Sequence, residues 1–158
     1  MRYVDLLAAL GLASRLDLVE AARAGACTLV FHGTFELTIS AAPEAWRVRL
    51  HAPLVVLGML GARERARVLG DLLQIPVPRA TRHRAHFGFD PLHDRIILFK
   101  TLDLVAHGRA DPAGQAVPAV ESFIRQGIEL LHTLPSMLHP APCATTRHTA
   151  WPLMSTLA

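Results

Sequence analysis

Apolar positions change their period along this chain, and the changes mark its elements. Over residues 3–12, Tyr3, Leu6, Leu7 and Leu10 share one face at helical spacing, which predicts an amphipathic first helix broken near Gly11. ASRLDLVEAARAG (13–25) reads as a polar-edged connector with room for another short helical turn. From Cys27 the period drops to two. In CTLVFH (27–32) Cys27, Leu29 and Phe31 face one way, and His32-Gly33 suits a tight reversal because glycine accepts positive φ. TFELTIS (34–40) alternates Phe35, Leu37 and Ile39 with Thr34, Glu36, Thr38 and Ser40. After the AAPE turn, Trp46, Val48 and Leu50 alternate with Arg47, Arg49 and His51. Three successive half-buried strands imply an antiparallel meander with one wet face.

The helical period returns at 61–75, where Leu60, Val68, Leu69, Leu72 and Leu73 form a stripe that Pro76 and Pro78 end. RAHFGF (84–89), a turn at DPLHD (90–94) and RIILFK (95–100) read as a hairpin. A loop bearing proline and glycine (107–118) leads to a last helix near 119–134, striped by Val120, Ile124, Ile128 and Leu131. The order α-β-β-β-α-β-β-α predicts an α+β domain over 1–135, a single antiparallel sheet packed by helices. Residues 136–158 carry Pro140, Pro142 and Pro152, no acidic residue and no periodicity, and read as a loosely ordered tail.

Composition narrows the picture modestly. The 158 residues are 51% apolar and 18% charged, which suits one globular domain. The formal charge is +3, but arginine outnumbers lysine fifteen to one in an alanine-rich chain. That pairing fits coding bias as well as selection for guanidinium chemistry, so basicity is a weak sign of nucleic-acid binding. Cys27 and Cys143 are too few for a disulfide framework or a structural zinc. Asp5 interrupts the apolar N-terminal run, and no segment reaches the roughly 18 apolar residues of a membrane span. A reduced, cytoplasmic protein without membrane insertion is the expectation.

Three chemistries were open candidates. His83, His86 and His93, with Asp90 and Asp94, are metal-ligand types, yet strand alternation separates His86 from its neighbours and no HExxH or paired CxxC is present. Arg63, Arg65, Arg67, Arg79, Arg82 and Arg84 form the densest basic run, the basis for an alternative reading as a small nucleic-acid-binding regulator. Glu64 interleaves there, and a solvated helix face explains the run more simply. For catalysis there is no G-x-S-x-G elbow and no phosphate-cradling glycine loop, and Cys27 sits on an apolar strand face. The sequence therefore implies no enzyme, cofactor or metal.

What remains is surplus apolar surface. RIILFK is apolar on both faces, and such a surplus favours a protein interface, with sheet edges able to accept a partner's strand. Four stretches in order, YVDLLAALGL, GACTLVFHGTFELTI, FGFDPLHDRIILFKTLDL and VESFIRQGIELLHTL, resemble the type III secretion chaperones of the Tir chaperone (CesT-like) family over about 1–134. The resemblance implies a homodimer that binds the N-terminal segment of a secreted effector, keeps it export-competent and hands it to the secretion ATPase in a virulence system. By the same resemblance, effector grooves would involve Leu6, Leu10, Val30, Phe35, Leu37 and Ile39. The dimer contact would involve Val68, Leu69, Leu72, His86, Phe87 and Phe89.

Overall fold

The computed structural model describes residues 1–44, 46–74, 85–105 and 113–133. Its elements are α1 (Tyr3–Ser14), α2 (Val19–Ala24), β1 (Ala26–Phe31), β2 (Phe35–Ala41), β3 (Arg47–Val56), α3 (Ala62–Gln74), β4 (His86–Asp90), β5 (Arg95–Asp103) and α4 (Ala113–Thr133). The strands form one five-stranded antiparallel sheet in the order β1-β2-β3-β5-β4, which leaves β1 and β4 at the edges. The α+β class and single sheet are as the periodicity predicts. Arg79, Arg82, His83, Arg84 and the tail from 136 lie outside the described residues.

Alternation sorts the sheet into two faces. The register sets Leu29 beside Leu37, Ile39 beside Leu50, Val48 beside Leu102 and Phe87 beside Leu98. This face is covered by helices: Leu6, Leu7 and Leu10 of α1 and Val120, Phe123 and Ile124 of α4 join Leu29, Phe35, Leu37 and Leu50 in one buried cluster. The opposite face carries Thr28, Val30, Glu36, Thr38, Arg49, His51, Ile97, Phe99 and Thr101, all half-buried or exposed.

One detail fills room that the sequence reading left in the connector, and two depart from that reading, each for a local reason. A short helix, α2, precedes the meander, started by Asp17, whose Oδ1 accepts the Val19 N–H at 3.1 Å. α1 runs through Gly11 to Ser14, because Arg15 takes the left-handed cap (φ 57°) and its N–H bonds back to the Gly11 carbonyl. α4 begins at Ala113 rather than near 119, with Pro118 inside it. Pro118 lies in the second turn, close to the helix start whose first four N–H groups have no partner in any case, so its missing donor costs about one bond. The other internal proline, Pro53 in β3, lies past His51, the last position that pairs with β2, and beside a register shift against β5.

Candidate functional site

Two apolar surfaces are left exposed among the described residues, one on the helices that lead into edge strand β1 and one around the hairpin that holds edge strand β4. The first is built by α1 and α2. α1 buries Tyr3, Leu6, Leu7 and Leu10, and its first turn is capped by Asp5, whose carboxylate accepts the Arg2 N–H at 2.7 Å. The chain then doubles back tightly: the Leu16 N–H donates to the Gly11 carbonyl at 3.0 Å. A methyl group on Gly11 would stand 2.7 Å from the Leu16 carbonyl oxygen, so only glycine allows this closeness. The Tyr3 hydroxyl lies 3.3 Å from the Ala21 carbonyl and 3.4 Å from that of Ile39, tying α1 to α2 and β2. Burial pushes its phenol well above the usual tyrosine range.

Between the two helices lies a cavity of about 720 Å³, lined mainly by Val4, Leu7, Ala8, Leu12, Val19 and Ala22. Leu12 is 83% exposed, Val19 55% and Val4 51%, so this lining faces solvent. Arg15 and Arg23 stand at it, Arg23 bonded to Glu20 at 2.7 Å. Gly25 (φ 74°) leads directly from α2 into edge strand β1. An extended segment pairing with β1 would thus find an apolar groove alongside.

The second surface joins α3 to the β4–β5 hairpin. The Arg65 guanidinium donates to the Asp94 carboxylate at 2.7 Å and to the Leu57 carbonyl at 3.2 Å, anchoring the helix to the turn. Around this anchor Met59 (85% exposed), Leu92, Phe89 and Leu69 are left open to solvent.

The structure redistributes the residues expected at these surfaces. Leu6, Leu10, Phe35, Leu37 and Ile39 have no solvent exposure and belong to the core. Alternation names a strand's apolar face but not which cover it receives, and here α1 and α4 take it. These five therefore support a groove rather than line one, and Val30 lies half-buried on the opposite sheet face. Val68 and Leu72 are likewise buried, while Leu69 and Phe89 are exposed. Phe87 is half-buried against the core. His86, on the other face of β4 from Phe87, stands 5.7 Å from the Phe99 ring. Sequence reasoning missed Val4, Leu12 and Val19, whose signal was apolar character off the main helical stripe.

Several residues named for the other candidate chemistries make ordinary pairings among the described residues. Asp90 accepts from Arg95 and pairs with His93, each at 2.8 Å, which holds its carboxyl down at about 2. Asp94 is engaged by Arg65, and among the described residues no three potential ligands gather for a metal. Two of the α3 arginines have acidic partners, Arg65 with Asp94 and Arg67 with Asp71 at 3.8 Å. Cys27 is buried, its thiol pushed up to about 11 by desolvation, which suits a core residue rather than a nucleophile. Among the described residues no helix is long and apolar enough to cross a membrane.

No family model and no curated protein matches the chain. Its fold is similar to chains in several solved complexes. One is the ExsC–ExsE complex, with 20% identity over 79% of this chain and 95% of that one, at a TM-score of 0.46. Another is the heterodimeric ExoU–SpcU complex from the type III secretion system of Pseudomonas aeruginosa, with 18% identity over 68% and 79% and a TM-score of 0.45. The HopA1–SchA chaperone–effector complex gives 14% identity over 80% and 98%, at 0.43.

Proposed function

We propose that this chain is a cytoplasmic type III secretion chaperone. It binds the N-terminal segment of one or more secreted effectors, keeps that segment soluble and export-competent, and delivers it to the secretion ATPase. The observation that carries the reading is the solvent-facing groove of Val4, Leu12 and Val19 between α1 and α2, the second of which runs through Gly25 into edge strand β1. Main-chain pairing with β1 would supply affinity without sequence demand, and the groove would select apolar side chains. The ordered motifs of the sequence point the same way. In this reading residues 1–135 form the chaperone unit, 136–158 are a tail outside it, and Leu69 with Phe89 lies at a homodimer contact.

Among the described residues, two of the three α3 arginines, Arg65 and Arg67, face carboxylates of their own chain, which weighs against the nucleic-acid alternative. The test is co-expression with the N-terminal segments of proteins exported by the same cell's type III apparatus, followed by nuclease treatment and sizing. A stable complex should form with at least one segment, and Val4→Asp/Leu12→Asp should weaken it at least about tenfold, or 1.4 kcal/mol. Failure to capture any such segment, together with salt-sensitive retention on nucleic acid, would overturn the proposal.

A further inference from the structure

A separate cavity of about 340 Å³ opens on the sheet face opposite α1 and α4. Strand β3 brings Arg49 and His51 to it, and β5 brings Ile97, Phe99 and Thr101. The register sets Arg49 directly beside Thr101 and His51 beside Phe99. Its floor is apolar: Ile97 is half-buried and Phe99 remains 38% exposed. The Phe99 ring leans over Gly88 of β4, where an added methyl group would come within 3.1 Å of it. With the ring held towards β4 and His86, the space on the β3 side stays open.

The charges at this cavity are unevenly committed. Arg95 is bonded to Asp90 at 2.8 Å, and Arg47, farther along β3, is bonded to Asp103 at 2.8 Å. Arg49 is exposed and has no hydrogen bond or ion pair among the described residues. Lys100 also lines the cavity, but its register beside Leu50 sets its side chain on the helix-covered face, where it is buried. One uncommitted guanidinium and one hydroxyl therefore stand over an aromatic and aliphatic floor. A guanidinium pairs with a carboxylate through two parallel hydrogen bonds, whereas a phosphate dianion would need further cations, and Asp90 opposes that charge. The volume falls in the range of small-ligand sites.

We propose that this cavity binds a carboxylate carried on an apolar body, an aromatic or aliphatic acid, with Arg49 and Thr101 holding the carboxylate and Phe99 and Ile97 the body. The acid could be a free small molecule or a glutamate beside an apolar residue in a protein segment, and the two sources share this chemistry.

The full-length protein, labelled with nitrogen-15, is titrated with phenylacetate, its neutral analogue phenethyl alcohol, and the capped tripeptide acetyl-Leu-Glu-Phe-amide. Phenylacetate should shift the amides of residues 49, 51, 99 and 101 with saturation, and phenethyl alcohol should bind at least tenfold more weakly. Arg49→Gln should remove the preference for the acid while leaving the remaining spectrum in place, and Thr101→Val should weaken it in part. Tighter binding of the tripeptide assigns a protein segment as the natural source, and tighter binding of phenylacetate assigns a free acid. Equal binding of acid and alcohol, no binding of either acid at 20-fold molar excess and about 10 mM, or shifts unaltered by Arg49→Gln would overturn the site.

Discussion

Gly127 of α4 sits against the ring of Phe35: a methyl group at position 127 would run into the ring atoms Cε2 and Cζ. Phe35 is fully buried in β2 and has nowhere to move, so this contact sets how closely the last helix lies on the sheet. Gly127→Ala gains up to about 1 kcal/mol of helix propensity but overpacks a rigid site at about 1–3 kcal/mol. The overpacking wins, and urea unfolding should show a net loss. Gly70 in α3 has nothing within 4 Å of an added methyl, so Gly70→Ala should instead stabilise by up to about 1 kcal/mol. Opposite signs for one substitution on two helices would separate packing from propensity.

The β1–β2 turn offers a gain. His32 (φ 51°) and Gly33 (φ 71°) both hold left-handed backbone, and the Thr34 N–H closes the turn on the Phe31 carbonyl at 3.1 Å. Glycine occupies that region freely, whereas histidine does so at a cost that asparagine largely escapes. His32→Asn should raise stability by about 0.5–1 kcal/mol, seen as a higher Tm, with no effect on either apolar surface. A lower Tm would mean that the histidine ring makes a compensating contact.

How far the sequence could be read depends on which quantity each residue encodes. Phe35, Leu37 and Ile39 announce a strand and its apolar face through period two alone, and the register bears this out. Nothing local to them says that α1 and α4, the latter 74 to 98 residues beyond Phe35 and Ile39 in sequence, cover that face. Pro118 misplaced the start of α4 because a proline usually marks a boundary, yet near a helix start it removes little. The α1–α2 groove was harder still. Leu12 and Val19 flank a polar connector, and only the turn permitted by Gly11 brings their helices together.

At the second surface Phe87 and Phe89 share a strand face but not an environment. Phe87 packs against the core, whereas Phe89 is 54% exposed at the edge of the sheet. If Phe89 lies at the homodimer contact, Phe89→Asp should give a folded monomer, because the carboxylate stays hydrated in the free chain but would be desolvated in the dimer. Phe87→Asp should lower stability as well. Analytical ultracentrifugation with circular dichroism distinguishes the two, and an unaltered dimer in Phe89→Asp would remove β4 from the contact.

The outer face also sets a pH dependence. His51 is held below its ordinary value, first by desolvation between strands and then by the nearby Arg95 charge, with Asp90 opposing. The groups that share its surroundings are Glu36 on β2, Arg49 on β3, Arg95 on β5, and His86 and Asp90 on β4. Because the unfolded histidine binds a proton near pH 6.5 and the folded one only lower, the unfolded state holds more protons in between. Stability then rises with pH through that interval, and on acidification it falls from about pH 7 until the folded group is protonated too. Asp90 acts in a separate window: its carboxyl, lowered to about 2, loses its contribution only as pH drops from about 4 towards 2. Denaturant midpoints measured from pH 8 to 5 should therefore decline in the native chain and flatten in His51→Gln, while Arg95→Gln should leave a decline whose midpoint moves up in pH, since it removes one cause of the depression. A profile unchanged by His51→Gln would assign the dependence to another histidine.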